Sequence, residues 1–138
     1  MGKTVAIFNQ KGGVGKTTTC VNMAAALGQK GKKTLLIDID PQGNSTSGVG
    51  IDKSTVEYST YDVLTGEATA RSIMVETEFK NLYILPANMN LAGAEVELAE
   101  LENRNSILKR AIATLVMEFD FIIIDCPPSL GMLSINEL

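Results

Sequence analysis

The sequence predicts an α/β fold in which helices cover both faces of a parallel β-sheet. Short apolar segments alternate along the chain with segments of helical periodicity, and this alternation is typical of parallel sheets. Two of the apolar segments are continuously apolar, as strands buried on both faces are. A glycine-rich turn joins the first apolar segment to the first helical one. We expect residues 1–138 to form the N-terminal part of a single domain.

Four short apolar segments are predicted as strands. They cover residues 4–9, 33–38, 81–87 and 119–126. The second and fourth are the continuously apolar ones, so we expect them in the middle of the sheet.

The first helix is predicted by an apolar stripe with the spacing i, i+3, i+4, i+7. Its members are Cys20, Met23, Ala24 and Leu27, and Gly28 and Gly31 mark the end of the helix. The same spacing recurs over 108–115, after another helical stretch around 91–101. Ser59 and Asp62 resemble a capping box, with Gly66 closing that short helix. Residues 41–58 are rich in Gly, Ser and Thr and are predicted as loop.

Composition restricts the possible partners. The net charge is −4 and histidine is absent, whereas DNA binding usually depends on clustered Lys and Arg. The densest basic stretch, residues 30–33, follows a predicted helix, where cations suit the negative end of the helix dipole. No apolar run approaches the roughly 20 residues that span a bilayer. With no secretory signal and no zinc-type cysteine spacing, we expect a cytoplasmic protein with reduced thiols.

The turn after the first strand has the composition of a phosphate-binding loop. Residues 9–18 read "NQKGGVGKTT", with three glycines followed by Lys16 and Thr17. Glycine lets the backbone approach a ligand closely, and amides at a helix N-terminus bind anionic phosphate. We expect Lys16 to reach the β- and γ-phosphates, the Thr17 hydroxyl to bind Mg²⁺, and Thr18 to contact the α-phosphate. The usual motif has glycine where this chain has Gln10.

Acidic residues end both continuously apolar strands. Asp38 and Asp40 follow the second strand, and Asp125 follows four apolar residues of the fourth. Ligands bind at the carboxyl edge of open α/β sheets, so we expect these side chains near the phosphate loop. An apolar strand that ends in Asp, after a phosphate loop, is typical of a Walker B strand. A strand-end Asp can also cap the turn that follows it.

The segment "KGGVGKTT" resembles the deviant Walker A box of the ParA/MinD family of ATPases. Lys11 then matches the signature lysine, which contacts the nucleotide of the other subunit across a face-to-face dimer. A cation supplied in trans can neutralise charge on the transferred phosphoryl group. The resemblance implies that Asp40 positions the attacking water, that Asp125 binds Mg²⁺ through a water, and that Asp38 lies near the metal.

These roles define the expected site. The catalytic candidates are Lys11, Lys16 and Asp40; the ATP-binding candidates are Lys11, Gly12, Gly13, Val14, Gly15, Lys16, Thr17 and Thr18; the metal candidates are Thr17, Asp125 and, more weakly, Asp38.

Further segments resemble the partition branch of this family, the ParA and Soj ATPases. They are "DPQGNSTSGVG", "YDVL" and "LYILPAN". The resemblance implies ATP and Mg²⁺ as cofactors, an ATP-dependent homodimer, a ParB-like partner and no membrane. Members run to about 250 residues. We therefore expect the C-terminal strands, the adenine-binding segment and the DNA-binding surface to be missing here, leaving residues 4–9 as an exposed sheet edge.

Three functions remain open from the sequence. The first is an ATP-dependent dimerisation switch, a weak ATPase, in chromosome or plasmid partitioning. The second is a truncated, non-catalytic fragment that binds nucleotide or associates with itself. The third is a metabolic or electron-transfer relative such as the nitrogenase iron protein. Against the iron protein, Cys126 directly adjoins Asp125, which is not the spacing of a cluster ligand in that family.

Overall fold

A computed structural model of the chain describes residues 3–8, 14–39, 43–88 and 110–126. The strands are β1 Lys3–Phe8, β2 Thr34–Asp38, β3 Val75–Glu76, β4 Leu82–Leu85 and β5 Phe121–Cys126. The helices are α1 Val14–Gln29, α2 Asn44–Gly48, α3 Thr60–Leu64 and α4 Ala70–Ile73, with a 3₁₀ turn at Lys53–Thr55 and a helical turn over 110–112.

The five described strands form one sheet in the order β1-β5-β2-β4-β3. β1, β5, β2 and β4 pair in parallel, and β3 pairs antiparallel with β4. This arrangement confirms the predicted parallel α/β sheet and places β1 at one end of the described order. The two-residue strand β3 was not predicted, because two residues are too few to show a periodicity.

Two apolar layers cover the two faces of the sheet. On one face Cys20 and Ala24 of α1 pack with Leu36 of β2 and Ile123 of β5. The other layer joins alternate residues of β2 and β5 to α3, α4 and the turn after residue 110; its buried members include Leu35, Ile37, Val63, Leu64, Ile73, Ile112, Leu115, Ile122 and Ile124. Helices on both faces of the sheet are therefore confirmed, and all five residues of β2 are buried.

The end of α1 is fixed by a close backbone approach. The carbonyl of Gly28 accepts a hydrogen bond of 3.0 Å from the side-chain amide of Asn81. A Cβ on Gly28 would lie 2.0 Å from the carbonyl oxygen of Lys80, so only glycine fits there. Gly31 has φ of +85°, the left-handed conformation that commonly follows a helix. The predicted stop at these two glycines is confirmed.

The capping box is also confirmed. The backbone amide of Ser59 donates to Asp62 at 2.7 Å, and the Ser59 hydroxyl accepts from the first turn of α3. Gly66, with φ of +85°, follows the end of that helix.

The prediction of a loop over 41–58 was wrong for part of that segment. α2 and the 3₁₀ turn Lys53–Thr55 both fall within it. The residues of α2 have weak helix propensity, but Ser45 and Thr46 are buried and hydrogen-bonded to Asp125 and Ala87, which lie far along the chain. These tertiary contacts compensate for the weak propensity, and they leave no periodic apolar pattern in the sequence.

Three smaller expectations also needed correction. Met23, placed on the buried stripe of α1, is 36% exposed. β4 ends at Leu85 rather than at residue 87, because Pro86 has no amide to continue the ladder and its carbonyl accepts from the Thr60 amide. β5 begins at Phe121 rather than at residue 119, since the Asp120 carboxylate accepts from the Lys33 amide at 2.8 Å.

None of the helices in the described ranges has both the length and the apolar character that crossing a bilayer requires. Cys20 of α1 is fully buried.

Candidate functional site

The carboxyl ends of three parallel strands meet at one edge of the sheet. Phe8, the last residue of β1, pairs with Cys126 of β5, and Asp38 of β2 pairs with Asp125 of β5. Phe8 ends β1 at this edge, and α1 begins at Val14, so the glycine-rich segment joins these two elements. Strand ends of this kind are where open α/β sheets bind ligands.

The structure places only part of the predicted site. Lys11, Gly12, Gly13 and Asp40 lie outside the described residues, as does the stretch around 91–101. Residues 14–17 form the first turn of α1 and are described by their backbone alone. Thr18 is exposed on that helix. The roles assigned to these residues stay predictions, while the start of a helix within the glycine-rich segment is established.

Asp38 and Asp125 lie side by side and both are fully buried. Asp38 is two residues beyond Leu36, and Asp125 is two residues beyond Ile123; both of these apolar residues pack in the layer with α1. Because side chains alternate along a strand, both carboxylates continue the face of the sheet that α1 covers. Neighbouring strands lie about 4.8 Å apart, so the sheet holds two acidic groups close together.

Asp38 is held by α2. Its Oδ2 accepts a hydrogen bond of 2.9 Å from the Thr46 amide and one of 2.7 Å from the Thr46 hydroxyl. The same hydroxyl oxygen accepts 2.9 Å from the amide of Ala87, just beyond β4. One buried threonine thus joins the ends of β2 and β4.

Asp125 is held by the preceding residue of α2. Its Oδ2 accepts a hydrogen bond from the hydroxyl of Ser45, which is also fully buried. α2 starts after Gly43, which has φ of +63° and packs where a Cβ would lie 2.4 Å from the Lys53 side chain. The turn before α2 therefore depends on this glycine, and it positions both hydroxyls.

Ser45 and Thr46 were missed from the sequence as site residues. Both fall in "DPQGNSTSGVG", which was used to choose a branch of the family. The available signal was a Ser-Thr pair that closely follows a strand-end Asp at a ligand-binding edge. That signal is weak, because serine and threonine are common in exposed loops.

The donor set fits a magnesium ion that is shared with phosphate. Mg²⁺ binds hard oxygen ligands, usually one or two carboxylates together with substrate phosphates and waters. Asp38 and Asp125 supply two such carboxylates, and a cation would offset the repulsion between them. Within the described ranges, no group of three or more His, Cys, Asp or Glu side chains is arranged to hold a metal. Two carboxylates alone would leave the other positions around a magnesium ion to phosphate and water.

These features define the class of protein. A parallel sheet whose first strand leads through a glycine-rich segment into a helix, with an aspartate at the end of the adjacent buried strand, is the arrangement of P-loop nucleotide-binding proteins. The chain belongs to the family described as "AAA domain", whose model matches residues 2–138.

Comparison with known proteins confirms the resemblance to partition ATPases. The chain is 55% identical over 138 residues to the sporulation initiation inhibitor protein Soj of Bacillus subtilis, covering all of this chain and 54% of that protein. It is 49% identical to the chromosome-partitioning ATPase Soj of Treponema pallidum, and this match covers all of the present chain and 53% of that protein. The chain thus spans about half the length of the curated relatives it matches.

A solved structure supports the fold. Cobyrinic acid a,c-diamide synthase from Mycobacterium smegmatis, solved with a bound ATP analogue and magnesium, superposes with a TM-score of 0.88 and 45% identity. The match covers 100% of this chain and 56% of the synthase. The fold is therefore that of a protein which binds an ATP analogue with magnesium.

Proposed function

We propose that this chain is part of an ATP-dependent dimerisation switch, a weak ATPase that acts in chromosome or plasmid partitioning. The single observation that carries the proposal is the pair Asp38 and Asp125, buried in register beside the glycine-rich entry to α1. The partition role is supported by the name of the Treponema pallidum relative, the chromosome-partitioning ATPase Soj.

ATP and Mg²⁺ are the proposed ligands. The glycine-rich segment would bind the phosphates, with Lys16 at the β- and γ-phosphates and Thr18 near the α-phosphate. Thr17, Asp125 and Asp38 would hold Mg²⁺, which neutralises phosphate charge when bound. All of these residues lie in the segment 1–138, which we propose to be the N-terminal part of a single ATPase domain.

Hydrolysis is proposed to depend on dimerisation. Lys11 would contact the nucleotide of the second subunit, and Asp40 would position the attacking water. A lysine supplied in trans is present at the nucleotide only when two subunits meet, so ATP binding and association would be coupled. This coupling suits a switch better than a metabolic catalyst.

The proposed partners follow the same reasoning. A ParB-like protein would stimulate hydrolysis. The full-length protein would bind DNA at the nucleoid without sequence preference. This chain, with its net charge of −4, is not proposed to supply the DNA-binding surface.

A metabolic role is the second candidate, and one observation favours it. The structure that superposes with a TM-score of 0.88 is named a diamide synthase rather than a partition protein. The partition role remains the better supported, because the chromosome-partitioning ATPase Soj of Treponema pallidum is more similar, at 49% identity against 45%. ATP consumption that requires a carboxylic acid and an amide donor would favour the synthase role.

The test is the mass of the purified protein in solution, measured by light scattering with and without ATP and Mg²⁺. We expect a shift from monomer to dimer that needs ATP and disappears in Lys11→Ala. Lys30→Ala, which removes an exposed lysine just after α1, is the matched control and should behave like the wild type. If the measured mass is the same with and without ATP and Mg²⁺, the result would contradict the dimerisation switch and favour a non-catalytic or self-associating fragment.

A further inference from the structure

We propose that Ser45 and Thr46 are positioning residues for the metal-nucleotide site: from consecutive positions in α2 they orient the carboxylates of Asp125 and Asp38. The inference rests on the proposed function, because Mg²⁺ with a nucleotide is what the oriented carboxylates would serve.

The geometry of a helix explains why consecutive residues can do this. Successive residues point about 100° apart around a helix axis, so Ser45 and Thr46 diverge. Asp38 and Asp125 lie on neighbouring strands, about 4.8 Å apart. One turn of helix laid across the ends of β2 and β5 therefore reaches each carboxylate with a different residue, and both contacts occur.

The hydrogen bonds restrict how each carboxylate turns. In both aspartates Oδ2 is the acceptor, so the plane of the carboxylate and the direction of Oδ1 are restricted. All four side chains are fully buried, and buried polar groups are costly unless hydrogen-bonded. Residues that orient metal-binding side chains in this way typically change metal affinity 10- to 100-fold when they are replaced.

The two residues differ in how much of their role is structural. The Thr46 hydroxyl also accepts from the Ala87 amide, and the Thr46 amide would still hold Asp38 after the hydroxyl is removed. Ser45 acts on Asp125 through its hydroxyl. We therefore expect Ser45→Ala to affect the metal more than Thr46→Val does.

The experiment measures the affinity of the purified protein for ADP over a series of Mg²⁺ concentrations. We expect the Mg²⁺ concentration at the midpoint to rise about 10-fold or more in Ser45→Ala and about threefold in Thr46→Val. ADP affinity without Mg²⁺ should change less than about twofold, because the phosphate loop is untouched. Direct binding of Mn²⁺ in the presence of ADP, followed by electron paramagnetic resonance, should weaken by the same factors.

Two controls match the substitutions. Ser47→Ala removes an exposed hydroxyl from the same helix. Thr60→Val removes a buried hydroxyl that donates to the backbone carbonyls of Leu85 and Pro86 and not to a carboxylate. Both should keep the wild-type Mg²⁺ midpoint. If Ser45→Ala does not fold, Thr46→Val must raise the midpoint, and Thr46→Ser, which keeps the hydroxyl, must show the wild-type midpoint.

The outcomes separate this inference from the proposed function. A wild-type protein that binds ADP with clear Mg²⁺ dependence, beside variants whose midpoints match those of the controls, would overturn the positioning role alone. If the ADP affinity of the wild-type protein does not depend on the Mg²⁺ concentration, the result would overturn both the proposed function and this inference.

Discussion

Asp38 and Asp125 occupy the same register on neighbouring parallel strands, both without exposure to solvent. Folding alone does not favour two acidic groups in such a place, because like charges repel and burial removes their hydration. The arrangement is therefore expected to cost stability in the absence of a cation.

The first prediction concerns this cost. Asp125→Asn keeps an oxygen that can accept from Ser45 but removes one of the two charges. We expect it to raise the melting temperature of the metal-free protein by a few degrees, on the order of 1 kcal/mol, while Mg²⁺-dependent ADP binding weakens at least 10-fold. Calorimetry and ADP titration measure the two effects.

The matched control for this prediction is Asp120→Asn, which removes an exposed acidic group five residues earlier. It should leave the Mg²⁺ dependence unchanged. A metal-free Asp125→Asn protein that melts below the wild type would show that the carboxylate pair stabilises the fold by itself.

The second prediction concerns the tight contact at the end of α1. Gly28→Ala would place a methyl group 2.0 Å from the Lys80 carbonyl oxygen, so the helix and the turn must separate. We expect a loss of about 1–3 kcal/mol in the free energy of unfolding, measured in urea. Gln29→Ala, at the next and exposed position of α1, should change it by less than about 0.5 kcal/mol. If the two variants have the same free energy of unfolding, the close approach between Gly28 and the Lys80 carbonyl oxygen does not limit stability.

The third prediction separates two roles of Asn81. This residue has φ of 60°, a conformation that costs other side chains about 1–2 kcal/mol, and its amide donates to Gly28. Asn81→Gly removes the hydrogen bond and keeps the conformation, so we expect a loss of about 1 kcal/mol. Asn81→Ala loses both and should be less stable by about a further 1 kcal/mol. Urea unfolding gives both values, and a glycine variant less stable than the alanine variant would contradict the interpretation.

The fourth prediction concerns pH. The pKa of Glu118 is lowered, first because the Arg71 guanidinium donates a hydrogen bond to it and then through the positive charges of Arg71 and Lys33. A lowered carboxyl pKa gives stability that is present above the unfolded value of about 4.3 and is lost as pH falls through the folded pKa. Glu118→Gln should therefore be less sensitive to pH than the wild type below about pH 5.

Urea midpoints from pH 7 to pH 3 provide the measurement for this ion pair. The effect should be small and should shrink in 0.5 M salt, because both side chains are exposed. Glu67→Gln, also exposed, is the control and should follow the wild type. If the wild type and Glu118→Gln still differ by the same amount in 0.5 M salt, the ion pair between Arg71 and Glu118 is excluded as the cause of that difference.

The fold was largely predictable where one segment carries its own signal. β2 and β5 are continuously apolar because both faces of each are buried, and Gly28 and Gly31 mark the end of α1. Asp38 and Asp125 could be found for the same reason, since each ends such a strand.

The remainder depends on partners that are distant in sequence. Ser45 and Asp125 are separated by 80 residues, and Thr46 and Ala87 by 41. No local pattern shows that a serine in a glycine-rich stretch will be buried against a strand so far away. α2 was therefore predicted as loop, and its contribution to the site was missed.

The strand order has a consequence for biosynthesis. β5 lies between β1 and β2, so the first two strands have no neighbour in common until the last described strand has been made. Lys33 and Asp120, which join β2 to β5, are 87 residues apart, roughly 4 to 17 s at usual rates of translation. During that interval the nascent chain carries two apolar strands with unpaired edges, a state prone to aggregation. A ribosome that stalls before residue 121 would therefore hold a chain in which the aspartate pair cannot yet form.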